Sequence, residues 1–238
     1  MGTAIRDDMF TPDVISDPYS YYGRLRDEDP VHWNETYALW VITRHDDVTW
    51  MTRHNELFSS AVFKNDPRPA YPAIDESDLG LYEYVRNYQA DQFIQHPDQW
   101  ALYKKDPAGQ AKWATEECLR YDAPVKSIQR LASQDVEMRD KVMRKDDRIR
   151  WFISSANRDP KVFADPDKFD ITRQPNPHVA FGNGVHHCLG ATLARVEGQE
   201  VFKALAERFP GLQVEREELE YQPSITFRSL KSLPVTWQ

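Results

Sequence analysis

Three of the chain's nine glycines, Gly182, Gly184 and Gly190, fall within nine residues. They bracket one of its two cysteines in Phe181-Gly182-Asn183-Gly184-Val185-His186-His187-Cys188-Leu189-Gly190. Glycine permits positive φ and lets backbone approach a flat ligand closely. Beyond this run Leu189, Leu193, Val196, Phe202, Leu205 and Phe209 recur at helical spacing before Pro210-Gly211, so Cys188 is predicted at the start of a long amphipathic helix. Free N–H groups and the helix dipole stabilise a thiolate at such a position. A thiolate held by backbone donors beside a close-approach loop is what an axial metal ligand requires. The same residues admit two other readings. One is a free cysteine buried beside a turn. The other is a zinc site built from His186, His187 and Cys188, although adjacent ligands wrap a tetrahedral ion poorly and no second cluster has the usual spacing.

These residues need a scaffold, and the rest of the chain predicts a mixed one. Asp17 to Asp29 reads as a helix with Pro18 at its first position. Val31 to Trp33 and Ala38 to Thr43 read as a hairpin across Asn34-Glu35-Thr36, and His45 to Leu57 as a helix. Residues 65–72 carry three prolines and form a connector; Leu79, Tyr82, Arg86, Ala90 and Phe93 then mark a helical stripe that His96-Pro97 ends or turns. Residues 97–105 and 109–121 are helical, split by Asp106-Pro107; residues 125–131, 136–142 and 148–154 are strand candidates. Residues 157–178 hold four of the sixteen prolines and lack periodicity, which predicts an irregular ordered loop, and the tail after Gly211 reads as short strands.

Composition narrows the functional classes. A net charge of −8 argues against nucleic acid, whose phosphates need a dense basic face. No stretch approaches the roughly 18 apolar residues of a membrane span, and Met1 to Phe10 is too polar for a signal peptide, so neither a membrane protein nor a secreted precursor is expected. With only Cys118 and Cys188 there is no disulfide framework, and a reducing cytoplasm is the natural setting.

The run from Phe181 to Gly190 resembles the cysteine-ligand loop of the cytochrome P-450 heme-thiolate monooxygenases, F-G-x-G-x-[HR]-x-C-x-G, at every specified position. Glu117-Cys118-Leu119-Arg120 is similar to that family's E-x-x-R. Ala156 to Pro160 and Asp165 to Asp170 resemble its meander, and Asp122-Ala123-Pro124-Val125 with Arg130 resembles the strand whose arginine holds a heme propionate. The resemblance implies a single α+β domain, mostly helical with a small antiparallel sheet, binding heme b (iron protoporphyrin IX). It implies Cys188 as iron ligand, with Phe181 packed beside the sulfur, Gly182 and Gly190 lending backbone proximity, and His186 and Arg130 on the propionates. Glu117 and Arg120 would lock the meander, a structural role, and no side chain is assigned to catalysis.

The same resemblance implies a shortened chain. Residues 1–63 correspond to the family's N-terminal helix and strands, and 96–238 to everything from the E-x-x-R helix onward. Residues 64–95 stand in for the distal wall, the substrate lid and most of the oxygen-activating helix. The family's distal acid–threonine pair has no counterpart, since no threonine lies between Thr52 and Thr115. Lys168 stands where the family has the third arginine of a Glu-Arg-Arg cluster, and lysine lacks the bidentate fork, so a weakened lock is expected. Charged residues at 138–147 and polar ones at Tyr82, Tyr84, Arg86, Asn87 and Gln89 are what masking newly exposed faces would require, as in an engineered, minimised scaffold. At most weak peroxygenase- or monooxygenase-type oxidation of a small apolar organic substrate is expected. By resemblance the electron donor would be of the ferredoxin type, and a second copy could cover the deleted face as a homodimer. The alternative is a non-catalytic or heme-free scaffold.

Overall fold

A computed structural model of the chain describes residues 8–60, 91–93, 95–215 and 219–237. The connector at 65–72, the stripe from Leu79 to Ala90, the polar positions 82–89 and nearly all of the 64–95 replacement lie outside the described residues.

Two N-terminal helices, α1 (Pro12–Ser16) and α2 (Tyr19–Glu28), lead into the predicted hairpin, β1 (Val31–Asn34) and β2 (Leu39–Ile42), which turns through Ala38 at φ 48°. Pro18 sits one place earlier than expected, as the residue capping α2. The segment read as one helix from His45 splits into α3 (His45–Arg53) and a 3-10 turn (Asn55–Leu57) before β3 (Phe58–Ser59). Helices α4 (Pro97–Tyr103) and α5 (Pro107–Tyr121) follow the Pro97 and Pro107 signals. Each proline occupies the first turn, where its missing N–H costs nothing, and the Asp106 carboxylate accepts the Gly109 N–H at 3.0 Å.

The main sheet comprises β1, β2, β7 (Arg148–Phe152), β4 (Ser127–Ala132) and β3, in the order β1-β2-β7-β4-β3. Three of its pairings are antiparallel, as expected. The β2–β7 pairing is parallel, with Leu39 opposite Arg148 and Ile42 opposite Trp151. Strand β7 is central and buried along its whole length, so its two arginines must be satisfied internally. Arg150 does so through Ser127 Oγ, Thr226 Oγ1 and Gln129 Oε1 at 2.8–3.1 Å. Residues 136–142, expected as one strand, form a hairpin of β5 (Val136–Met138) and β6 (Lys141–Met143) instead. Arg139 adopts φ 54° in its turn, a conformation that residue type does not announce. After β7 the chain enters a short helix, α6 (Ile153–Ala156), then the irregular loop, and finally α7 (Ala191–Arg208) and the β8–β9 pair (Gln213–Val214, Val235–Thr236).

The charges on the β5–β6 hairpin do not simply face water. Arg139 donates to Asp47 at 2.9 Å and to Asp46 at 3.3 Å, both on α3, and Lys141 lies 3.5 Å from Asp29. They dock the hairpin onto its neighbours.

The helical side has an aromatic core around Phe93. Its ring packs within 4.7–5.9 Å of Phe202, Tyr103, Trp100 and Phe169, joining the helical residues 91–93 to α4, α7 and the loop. Beside it Asp91 is fully buried, with Gln95 donating to it at 2.6 Å and the Asp122–Arg228 pair (3.2 Å) nearby. Burial, reinforced by the Asp122 charge and opposed by Gln95 and Arg228, pushes the Asp91 carboxyl up to about 7. An unfolded aspartate titrates near ~3.9. Between these values the folded chain holds a proton that the unfolded chain has released, so stability falls as pH rises from about 4 to about 7 and then levels. Asp91→Asn should remove that fall, narrowing the pH 4-to-7 loss by about 2–4 kcal/mol. Urea unfolding at pH 4.5 and 7.5 measures it, and identical pH slopes in both proteins would refute the assignment.

Candidate heme-thiolate site

Helix α5 carries the first constraint. Glu117 and Arg120 are fully buried and form a two-point pair, Nε–Oε2 2.8 Å and Nη2–Oε1 2.9 Å. Arg120 donates further to the carbonyls of Asn157 (3.0 Å), Pro166 (2.8 Å) and Lys168 (3.0 Å). Glu117 also accepts from the Asp170 N–H at 2.8 Å, Asn176 Nδ2 at 3.1 Å and Arg173 Nε at 3.3 Å. The third member of the cluster is therefore Arg173 and not Lys168. The Lys168 side chain is exposed and lies 3.5 Å from Asp170. The expected weakening does not occur, because Arg173 supplies a fork that also bonds the carbonyls of Ala164, Asp165 and Lys168.

The loop so pinned runs directly into the cysteine turn. Asn157 Oδ1 accepts the Val179 N–H at 2.8 Å, and Val179 O accepts the Gly182 N–H at 2.8 Å. Gly182 and Gly184 take φ +67° and +69°, and Asn183 Oδ1 caps a 3-10 turn (Gly184–His186) from 2.7 Å. The Cys188 N–H donates to Phe181 O at 2.9 Å, closing the loop; Ala191 N–H reaches Cys188 O at 3.2 Å as α7 begins. Among the described residues the N–H groups of Leu189 and Gly190, next to the sulfur, have no backbone acceptor. A Cβ on Gly190 would sit 3.9 Å from the Cys188 Sγ.

Cys188 is exposed, which removes the reading of a buried free cysteine; Cys118 is the buried one. Val185, Leu189, Leu193 and Val196 are exposed with it. The apolar stripe expected to bury the first half of α7 therefore faces outward. Ala191, Gly198, Phe202 and Ala206 face the core on the opposite side. No group of three or more His, Cys, Asp or Glu among the described residues could hold a metal, which disposes of the zinc reading. The His186 side chain is exposed and makes no hydrogen bond, ion pair or ring contact among the described residues. Arg130 is half-buried on β4, with its guanidinium over the Trp151 ring at 5.3 Å and Nη1 on Gln129 O at 2.7 Å. Burial pulls its pKa below the usual guanidinium value. No hydrogen bond, ion pair or ring contact among the described residues joins Arg130 to the cysteine loop.

One contributor was invisible in the motif. Glu116, adjacent to Glu117, accepts from Arg195 Nε (2.6 Å) and Nη2 (3.1 Å) and pairs with His178 Nε2 (3.0 Å). Arg195 in turn covers the Phe181 ring at 4.6 Å. Burial would raise the Glu116 carboxyl, but the hydrogen bonds from His178 and Arg195 and the Arg195 charge outweigh it and hold it down to about 2. The only sequence signal was a second acid beside the first.

Residues 111–230 match the family pattern described as Cytochrome P450. The chain belongs to the cytochrome P450 family. Its members are heme-thiolate monooxygenases that bind heme b. The Biotin biosynthesis cytochrome P450 of Bacillus subtilis (strain 168) is 42% identical over 61% of this chain and 36% of its own length. The 6-deoxyerythronolide B hydroxylase of Saccharopolyspora erythraea is 38% identical over 60% of this chain and 35% of its own. The chain thus spans about a third of the length of these curated relatives. Among solved structures, P450BioI in complex with a hexadec-9Z-enoic acid ligated acyl carrier protein is 39% identical, with TM-score 0.62, over 65% of this chain and 40% of that one. CalO2 aligns across 99% of both chains with TM-score 0.85 at 22% identity, a likeness of fold. No helix among the described residues is long and apolar enough to cross a membrane.

The two positive-φ glycines differ in a way that can be measured. A Cβ on Gly184 would meet the Thr52 carbonyl oxygen of α3 at 2.5 Å, whereas at Gly182 the nearest atom is His186 O at 3.7 Å. Gly182→Ala should cost only the left-handed conformation, about 1 kcal/mol, and Gly184→Ala about 2 kcal/mol or more because backbone must move. Denaturant unfolding of the two variants checks the order, and equal losses would mean that α3 does not press on the turn.

Proposed function

We propose that this chain is a shortened heme-thiolate protein in which Cys188 ligates heme iron, with at most weak oxidation of small apolar molecules. The observation that carries the reading is one exposed thiol at the start of α7, outside any group of three or more metal donors among the described residues and followed by exposed apolar Leu189, Leu193 and Val196. A thiol without two further protein donors suits a group that brings most of its own donors, and the exposed apolar residues beside it suit a flat apolar ring. The absent Cβ of Gly190 and the free N–H groups of Leu189 and Gly190 favour the thiolate. When bound, a thiolate-ligated heme supplies oxidative chemistry through electron donation that favours O–O cleavage.

In this reading the chain's own residues bind and orient. Cys188 holds the iron and Phe181 packs beside the sulfur, while Gly182 and Gly190 permit close approach. His186 and Arg130 hold the propionates; Arg130, a partly desolvated cation, would regain in an anionic partner what burial removes. Glu117 and Arg120 keep the loop in place. The shortening belongs to this reading, and the curated relatives are matched over about a third of their length. Engineered minimisation stays part of this reading: Glu137, Arg139 and Asp140 of the β5–β6 hairpin are exposed, although Arg139 also pairs with Asp47.

A second reading, a non-catalytic scaffold whose α7 face meets another copy, is favoured by that same exposure of Val185, Leu189, Leu193 and Val196. A reduced, carbon monoxide-bound difference spectrum after heme addition separates the two. The first reading expects a strongly red-shifted Soret band that Cys188→Ser abolishes. A chain that binds no heme, or a band indifferent to the substitution, would leave the scaffold.

A further inference from the structure

We propose that Glu116 is a positioning residue for Cys188, acting through Arg195 and Phe181. The inference deepens the heme-thiolate reading and rests on it only for its spectroscopic arm.

The contacts of Glu116 are too specific for a helix–helix strut. His178 precedes Phe181 by three residues and Arg195 follows Cys188 by seven, so one carboxylate grips the ligand loop at both ends. His178 Nδ1 accepts the Ala180 N–H at 3.2 Å, so its proton sits on Nε2 and donates to Glu116 Oε2. The two-point bond fixes the plane of the Arg195 guanidinium, which lies over the Phe181 ring. The Phe181 carbonyl receives the Cys188 N–H. The chain of contacts runs from the α5 carboxylate to the amide of the proposed ligand. By contrast, among the described residues Glu117, one residue on, bonds Arg120 and residues 170–176. The two acids thus hold different segments, and their effects are separable.

The test uses Glu116→Gln and Arg195→Lys in the full chain, read by amide hydrogen exchange before heme is added. Loss of the anchored guanidinium should speed exchange of the Cys188 amide by roughly tenfold in both variants. The Asp170 amide, held by Glu117, should stay unchanged. No change at Cys188, or equal acceleration at both amides, overturns the proposal. If Glu116→Gln fails to fold, Arg195→Lys decides. Failure of both overturns it too, since a role confined to the loop leaves α5 and α7 standing. With heme, the carbon monoxide band of each variant should move towards that of Cys188→Ser. If the wild-type chain shows no such band, the heme reading falls while the exchange arm still judges Glu116.

Discussion

The structure depends on one buried ion pair. Withdrawing Glu117 and Arg120 completely from water costs several kcal/mol for each ion, and their mutual attraction offsets this only if every remaining donor and lone pair is used. Three carbonyls, one backbone N–H, an amide side chain and a second arginine do so, and all come from residues 157–176. This explains how a proline-rich stretch without periodicity is ordered. It has no ladder of its own, so its polar groups find partners on α5, and its path is the one that brings them there. The cysteine turn inherits its position from that path through Asn157 and Val179.

Helix α5 performs two tasks because successive residues on an α-helix point about 100° apart. Glu117 faces the irregular loop, while Glu116 faces α7 and His178. A doublet of acids in one helix therefore ties down two segments that are distant in sequence, and the loop bearing Cys188 lies between them. Removing Glu117 would leave the buried Arg120 guanidinium with an unmet charge, a larger effect than loss of a surface pair, whereas the Arg195 partner of Glu116 is a third exposed.

What could be read from the sequence follows the range of the interactions. The glycine-bracketed cysteine, the Pro97 helix start, the β1–β2 hairpin and the irregular loop are all local, and they were legible; the next helix begins at Pro107, two residues before the expected Gly109. Glu117 and Arg120 were legible as a motif. Their third partner was not, because choosing Arg173 over Lys168 depends on which cation can reach three carbonyls across a folded loop. The parallel β2–β7 pairing and the Glu116 contacts join residues about 60 to 110 positions apart, beyond any periodic signal. The Arg139 turn failed for another reason. Positive φ is usually announced by glycine or asparagine, and an ion pair to Asp47 holds an arginine there instead.

Helix α7 shows why periodicity alone misplaced an apolar face. Ala191, Gly198, Phe202 and Ala206 cluster on one side at 3.6 residues per turn, and Leu189, Leu193 and Val196 fall on the other. The inward side is built largely from small residues because α5 packs directly against it, and small residues let two helix backbones approach closely. The larger aliphatic residues are thereby turned outward, on the side where Cys188 is presented. The exposed apolar surface is thus a consequence of how α5 and α7 pack, with the Glu116–Arg195 bond spanning their interface.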